Sequence, residues 1–452
     1  MKPNILFLVI DGFRSDKCFG SKKSSKTPNL DSIIKSGTNF TQSISTADQT
    51  GLSLSSVFTA LFPPKSGITQ FNFTSKTPTY FDILQKSGYQ LNAFVPDVQF
   101  FLELISNFDE KTAYDFEDKS LWKRLEGGLG TQILETLSSN KMKQPWMYYI
   151  HLMDARYPFY VPTDFNKEEF GNTSYDKMIS ALDTWIGKII QKLDLQNTLL
   201  IISSDHGEYI PVTGERITEI PKVQNIIRKG TKVPFLKQIG LKTMINLRFA
   251  AQTYRKEKLK RVLSPFEMRS FNTRGTLYLF DELVRVPLIF SGYKIPSSKT
   301  IDDMVRSIDI MPTILEICEI VDPNQNIDGR SLVPLFQNKN LNEFPAYMET
   351  GINLGLLTQK NPKTLGNVVG VRTSKYKYFR SRNDPKQDQT LFDLQNDPQE
   401  ENNISNSHPE IVKEMEKILD DFINFKDKPK FNEMSQEEMD KIKDELMKLG
   451  YI

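Results

Sequence analysis

Two carboxylates and a histidine stand where a divalent metal could be held. Asp11 directly follows the apolar run Ile5 to Ile10, and Asp205-His206 closes the segment LLIISSDH, which begins with a second apolar run. A carboxylate at the end of a buried strand either caps a turn or faces a crevice that takes a metal or a phosphate. Adjacent Asp and His offer one oxygen and one nitrogen to a single ion, and that chemistry favours coordination over capping. The chain has three histidines, His151, His206 and His408, and His408 lies in a polar segment near the C-terminus. A two-zinc site built from several imidazoles is therefore hard to assemble. One hard or borderline ion, Mn²⁺ first and Mg²⁺ or Ca²⁺ otherwise, held by Asp11, Thr50, Asp205 and His206, is the economical arrangement. Coordination would lower the pKa of the Thr50 hydroxyl and give a nucleophile near neutral pH. Thr50 as a helix N-cap is the plainer alternative, and the two readings are compatible.

Such residues need strands to deliver them. Ile5 to Ile10 reads as a fully apolar strand, and Leu91 to Val95, Trp146 to Leu152, Thr198 to Ile202 and Val286 to Phe290 are further short runs rich in apolar and β-branched residues. Helical signals alternate with them. Thr27-Pro28 opens a short helix that Gly37 ends. Met178, Ile179, Leu182, Trp185, Ile186, Ile189 and Ile190 recur at helical spacing within Asp176 to Leu193. This alternation predicts an α/β fold with a large, mostly parallel or mixed central sheet and helices on both faces, so that catalytic loops lie at strand C-termini. Residues 1–340 would form the catalytic domain and 341–452 a smaller C-terminal α+β subdomain with a helical tail.

At 452 residues, 38% hydrophobic and 25% charged, the chain has the composition of an ordinary globular enzyme, and a net charge of +2 gives no global preference for nucleic acid. Cys18 and Cys318 are too far apart in sequence to suggest a disulfide framework or a CxxC metal site. The run Ile5 to Ile10 is too short for a signal peptide core, and no apolar stretch approaches the roughly 20 residues of a membrane span. A cytoplasmic protein is expected.

The order of motifs resembles the sulfatase family within the alkaline phosphatase superfamily, over nearly the whole length. PNILFLVIDGFRSD (Pro3 to Asp16), TPNLDSIIKSGTNFTQS (Thr27 to Ser43), TALFPPKSG (Thr59 to Gly67), SSDHGE (Ser203 to Glu208), TLYLFDELVRVPLIFSG (Thr276 to Gly292) and DIMPTILEICEI (Asp309 to Ile320) resemble family blocks in the expected order. DGRSLVPLF (Asp328 to Phe336), VRTSKYKYFR (Val371 to Arg380) and LFDLQNDPQEENN (Leu391 to Asn403) continue the series. The resemblance implies an alkaline phosphatase-like fold and an ester-cleaving or ester-transferring activity.

The departures from the family pattern are equally informative. Sulfatases carry Cys or Ser in C/S-x-P-S-R, the precursor of formylglycine, where this chain reads Thr50-Gly51-Leu52-Ser53-Leu54. Threonine cannot yield that aldehyde. A threonine there resembles instead the lipoteichoic acid synthases and phosphoethanolamine transferases, in which a metal-bound Thr forms a covalent intermediate. Those relatives are usually membrane-embedded, a feature this chain does not show. Gly12 stands where sulfatases usually have a second Asp ligand, which favours a four-ligand site. By the same resemblance, Arg156 replaces a common histidine and Arg274 a common lysine. Both are permanent cations with planar donor forks suited to the oxygens of a tetrahedral anion. Neither readily gives up a proton, so leaving-group protonation would fall to His151 or to water. Lys375 and Lys377 are weaker site candidates, expected on the surface.

From Arg216 to Arg269 the chain carries 14 Lys and Arg against 3 Glu and no Asp, a net of +11. Interleaved apolar residues allow basic amphipathic helices that contact an anionic membrane or cover an anionic substrate; a solvated insertion packed on the core is the plainer reading. Little aromatic interleaving argues against nucleic acid. Pro409 to Phe425 and Ser435 to Leu449 read as charged helices, and the closing LMKLGYI as a tail that packs back on the domain.

Together these features predict a metal-dependent hydrolase or transferase of phosphate or sulfate esters, the substrate an anionic ester that could be glycan- or lipid-linked. Phosphoester chemistry is preferred because the formylglycine precursor is absent. The alternatives are a sulfatase that works without formylglycine and an inactive homologue that binds an anionic glycan or lipid head group.

Overall fold

The computed structural model describes residues 2–68, 78–115, 124–139, 141–212, 253–272, 274–323, 326–351 and 368–424. Two compact units divide the chain: residues 1–208, 274–398 and 402–452 form the first, and residues 209–273 and 399–401 the second.

The first unit is built on an eight-stranded sheet in the order β4-β3-β5-β1-β6-β7-β2-β8. Its strands are β1 (Asn4–Ile10), β2 (Gly37–Ile44), β3 (Gln90–Pro96), β4 (Glu110–Tyr114), β5 (Trp146–Leu152), β6 (Thr198–Ser203), β7 (Arg285–Gly292) and β8 (Lys299–Arg306). Only β7 runs against its neighbours. All seven residues of β1 are buried, as are those of β5 and all six of β6, because these central strands are covered on both faces. The five runs expected as strands from the sequence are strands, and the α/β architecture is as expected.

Helices fill the two faces. On one, α1 (Pro28–Ser36) meets α3 (Ser174–Ile190), while α2 (Thr50–Thr59) packs on the other. Thr27 makes no side-chain cap for α1. Asp183 of α3 does that work from across the layer, accepting from Asn29 N at 3.1 Å and Leu30 N at 2.7 Å. On the opposite face Phe58 of α2 packs edge-on to Tyr149 with ring centroids 5.2 Å apart, within a core that also holds Phe7, Phe81 and helix α4 (Ile310–Ile317).

A smaller antiparallel sheet, β12-β11-β10-β9, completes this unit: β9 (Ala346–Glu349), β10 (Val368–Arg372), β11 (Tyr376–Ser381) and β12 (Thr390–Asp393). Helix α5 (Pro409–Ile423) lays Val412, Met415 and Leu419 against Val369, Val371, Tyr378 and Leu391. Lys377 is not on the surface as expected. It is fully buried, donates to Leu279 O at 3.1 Å and pairs with Asp281, because β11 turns this position inward toward those two residues. Lys375 is exposed.

The second unit holds the short helix Pro265–Arg269, opened by a capping box between Ser264 and Glu267, and Arg269 Nη1 donates to Glu400 O at 3.1 Å. Of the basic stretch Arg216–Arg269, only residues 253–269 are described. The Ser435–Leu449 pattern and the closing LMKLGYI also lie outside the described residues.

Candidate active site and metal centre

Strand register delivers the acidic pair. Val9 of β1 stands opposite Ser203 of β6 and opposite His151 of β5. Asp11 and Asp205, each two residues beyond the Val9–Ser203 pair, therefore emerge side by side, with His151 beside them. The loops are pinned from below: Ser204 Oγ donates to Ile10 O at 2.6 Å and accepts from Phe13 N at 3.0 Å. Gly12 takes φ +74, a left-handed conformation that a second aspartate would hold only with strain, and its N–H donates to Asp205 Oδ1 at 3.4 Å.

Thr50 comes from α2, where the N-cap position belongs to Gln49, so the capping alternative for Thr50 does not apply. Its hydroxyl instead donates to Asp11 Oδ2 at 3.2 Å and lies 3.3 Å from His206 Nε2. The helix it opens is polar yet buried, and Ser55, Ser56 and Thr59 satisfy themselves by donating to carbonyls one turn back. His206 Nε2 is 3.3 Å from Asp205 Oδ2, and its Nδ1 lies 2.9 Å from Gly207 O. Asp11, Thr50, His206 and Asp205 thus form a continuous buried chain of polar side-chain atoms.

His151 is fully buried. Its Nδ1 faces Tyr149 OH at 3.1 Å, its ring packs on Phe101, and its Nε2 is 3.9 Å from Asp11 Oδ2. Ligand atoms of Asp11, His151 and Asp205 all lie within 4.8 Å of one another, which makes a candidate metal site. Asp11 Oδ1, Asp205 Oδ2 and His151 Nε2 are buried with no hydrogen-bond partner among the described residues. Leaving three such atoms unmet costs several kcal/mol, and a divalent cation is the group that meets all three at once. The residues present fit a metal.

Both predicted arginines reach this cluster. Arg156 Nη1 is 3.6 Å from Asp11 Oδ2. Arg274 Nη1 contacts the His206 ring and donates to Asp48 O at 3.2 Å, while its Nε is 3.6 Å from Glu208 Oε2. Burial pushes the Asp11 carboxyl up, but Arg156, the adjoining His151 imidazole, His206 and Arg274 outweigh it and hold the carboxyl well below the usual range. Asp11 is therefore an anion at every working pH, as a metal ligand must be.

Three acids near the site, two buried and Asp154 half-buried, went unnoticed in the sequence. Glu208 faces Arg274. Asp48 accepts backbone N–H groups from Gly275 and Gly351. Asp154 lies in the loop that carries Arg156 and accepts from Leu125 N at 3.3 Å, and burial, only partly offset by Arg124, pushes its carboxyl up to about 6. Glu208 was readable from its place in SSDHGE. Asp154 lies two residues beyond the expected strand Trp146 to Leu152, the offset at which Asp205 follows β6, and was readable by the same rule, whereas Asp48 follows no apolar strand directly.

Among the described residues no helix is long and apolar enough to cross a membrane. The sulfatase profile matches residues 3–320, and that of the C-terminal region of N-sulphoglucosamine sulphohydrolase matches residues 267–425. N-acetylglucosamine-6-O-sulfatase of Bacteroides thetaiotaomicron is 21% identical over 468 residues, covering 89% of this chain and 82% of that protein. Arylsulfatase K of Homo sapiens is 26% identical over 276 residues, a match that spans 58% of this chain and 39% of the relative. The crystal structure of a phosphonate monoester hydrolase of Agrobacterium radiobacter superposes with a TM-score of 0.65 at 16% identity, covering 93% of this chain and 95% of that one. At such identity the likeness is one of fold. The profile match extends from the strand that delivers Asp11 past β8, and with the shared architecture it leads to one conclusion: the chain belongs to the sulfatase family of the alkaline phosphatase superfamily.

Proposed function

We propose that the chain cleaves an anionic ester with Thr50 as nucleophile, and that the preferred substrate is a phosphoester. Membership of its family makes it a hydrolase of sulfuric or phosphoric esters. The observation that carries the threonine reading is the contact of Thr50 Oγ1 with both Asp11 Oδ2 and His206 Nε2, inside a buried set of metal-ligand atoms. Asp11, Thr50, Asp205 and His206 would hold one divalent ion, with His151 adjoining. The mixed oxygen and nitrogen donors suit Mn²⁺, then Mg²⁺ or Ca²⁺. Such an ion supplies Lewis acidity at the reacting centre.

The remaining work falls to the protein. Thr50 Oγ forms the bond to phosphorus as the bond to the leaving oxygen breaks, and its proton leaves to a water. Arg156 and Arg274 hold the non-bridging oxygens, where their charge is worth most as the transition state develops. His151, the other buried imidazole, or a water protonates the leaving oxygen. Water or an alcohol then releases the group from Thr50, and this choice separates a hydrolase from a transferase.

A sulfate ester is the second reading, supported by likeness to N-acetylglucosamine-6-O-sulfatase over most of both chains. That relative also supports a glycan-linked substrate. Exposed Tyr254 and Val262 amid Lys256, Lys258, Lys260 and Arg261 suit peripheral contact with an anionic membrane.

The test is turnover of matched aryl phosphate monoester, phosphodiester and sulfate ester by metal-stripped protein refilled with Mn²⁺, Mg²⁺ or Ca²⁺. Phosphoester turnover that Thr50→Ala abolishes is the expected result. Sulfate turnover that survives Thr50→Ala would overturn the mechanism.

A further inference from the structure

Asp48 takes no part in the chemistry above, yet its surroundings are unusual for a residue two positions before the nucleophile. Its side chain is fully buried. Oδ2 accepts from Gly275 N at 2.6 Å and Oδ1 from Gly351 N at 2.8 Å, two amides more than 70 residues apart in sequence. The Asp48 carbonyl is also an acceptor for Arg274 Nη1 at 3.2 Å. One residue therefore holds the turn into α2, the peptide that follows Arg274, and the segment after β9.

The neighbouring contacts reinforce this junction. Ala47 forms a bridge with Glu349, and Glu349 N donates to Thr46 O at 2.9 Å. Gly351 packs so closely on Gln49 that a Cβ there would fall 1.8 Å from Gln49 Cδ. A larger residue at position 351 would have to displace the Gln49 side chain. Charge-assisted bonds from a carboxylate to backbone N–H groups are short and strong in a buried setting, so the peptide at Gly275 is fixed relative to Thr50. Arg274 is the residue immediately before it.

We infer that Asp48 is the positioning residue for Arg274: it sets the distance between the guanidinium and the Thr50 hydroxyl, and through it the affinity for a tetrahedral anion. This inference rests on the reading of Arg274 as an anion-binding residue. An arginine fork recognises a pair of oxygens only in a narrow geometry, and displacement of such a group by about 1 Å costs on the order of 10²-fold in rate. Asp48→Asn keeps one acceptor oxygen and replaces the other with an NH₂ that cannot receive an amide N–H, so one of the two anchors is lost.

The experiment is a double-mutant cycle of Asp48→Asn and Arg274→Lys in the full-length, metal-loaded protein, with metal content measured for each variant. The readout is the dissociation constant for inorganic phosphate and for inorganic sulfate by calorimetry. Each single substitution is expected to weaken anion binding by about tenfold, and the double variant to be no weaker than Arg274→Lys alone. Purely additive losses, or unchanged anion binding in Asp48→Asn, would overturn the role of Asp48. Unchanged binding in Arg274→Lys would instead remove the arginine reading on which the inference stands. Should Asp48→Asn fail to fold, amide exchange at Gly275 in the unaltered protein decides: protection close to the global limit is expected, and exchange at the rate of an exposed loop overturns the anchor.

Discussion

The molecule buries two clusters of charge that look alike in composition and differ in how completely they are paired. At the ends of β1, β5 and β6, Asp11, Asp205 and His151 each keep a buried polar atom without a hydrogen-bond partner among the described residues. Where β10 and β11 meet the large sheet, Asp281 is surrounded instead. It receives Arg372 Nε at 3.2 Å and Nη2 at 3.1 Å, pairs with Lys377, and has Arg285 at 3.8 Å. Burial pushes the Asp281 carboxyl up, but Arg372, Lys377 and Arg285 drive it far below its ordinary value. Both of its oxygens are taken, and the cluster joins the two sheets. Buried charge alone does not mark a candidate site; three ligand atoms that converge within 4.8 Å and lack a hydrogen-bond partner among the described residues do.

That contrast can be broken by substitution. Thr50→Ala should leave folding intact and lower kcat by about 10⁶-fold, the scale of losing a nucleophile; steady-state turnover beside a thermal melt checks both halves. The opposite pattern belongs to Asp281→Ala. It strands two buried cations and should cost about 3–5 kcal/mol of stability, with kcat per folded molecule unchanged, as read from urea unfolding and active-site titration. If Asp281→Ala reduces kcat as severely as Thr50→Ala, the two clusters are not functionally distinct.

Acid response sharpens the comparison further, because two carboxyls shift in opposite directions. Asp281 has a depressed pKa, so its contribution to stability is present above its ordinary value near 3.8 and is lost as the pH falls toward its folded value. Asp154, beside the site, is raised from 3.8 to about 6. Its protonated form is the one the fold prefers, so its contribution is fully present below pH 3.8 and lost as the pH rises through 6. Two units correspond to about 3 kcal/mol. Stability of Asp154→Asn measured from pH 4 to 7 should therefore lack a decline of that order seen in the unaltered protein; parallel curves would refute the assignment.

The smallest effect separates two roles for one residue. If His151 contributes to metal binding, His151→Gln should weaken the ion by about 10- to 100-fold, visible as metal content after dialysis. If it serves as a proton donor, metal content should hold and kcat should fall only for esters with poor leaving groups.

Much of the site was legible in the residues. Asp11, Asp205 and His206 follow buried apolar strands, and a strand end in an α/β sheet points its next residues into the crevice. Thr50 was legible through the motif it replaces, and the absence of an aldehyde precursor follows from residue type alone. The central strands declared themselves because both of their faces are covered, so nearly every residue in them is apolar. Lys377 misled for the complementary reason: a lysine in a strand of alternating residues reads as solvent-facing, and nothing local announces Asp281 across the interface.

The sequence by itself determined the strands, the residue types at the candidate site and the presence of threonine at position 50, since each depends on composition over a few neighbouring residues. Tertiary structure alone decided that β5 lies next to β1, which brings His151 to Asp11. It also decided that Asp48 gathers amides from positions 275 and 351. Strand order and long-range hydrogen bonds are set by the packing of the whole domain, and no short window of residues carries that information.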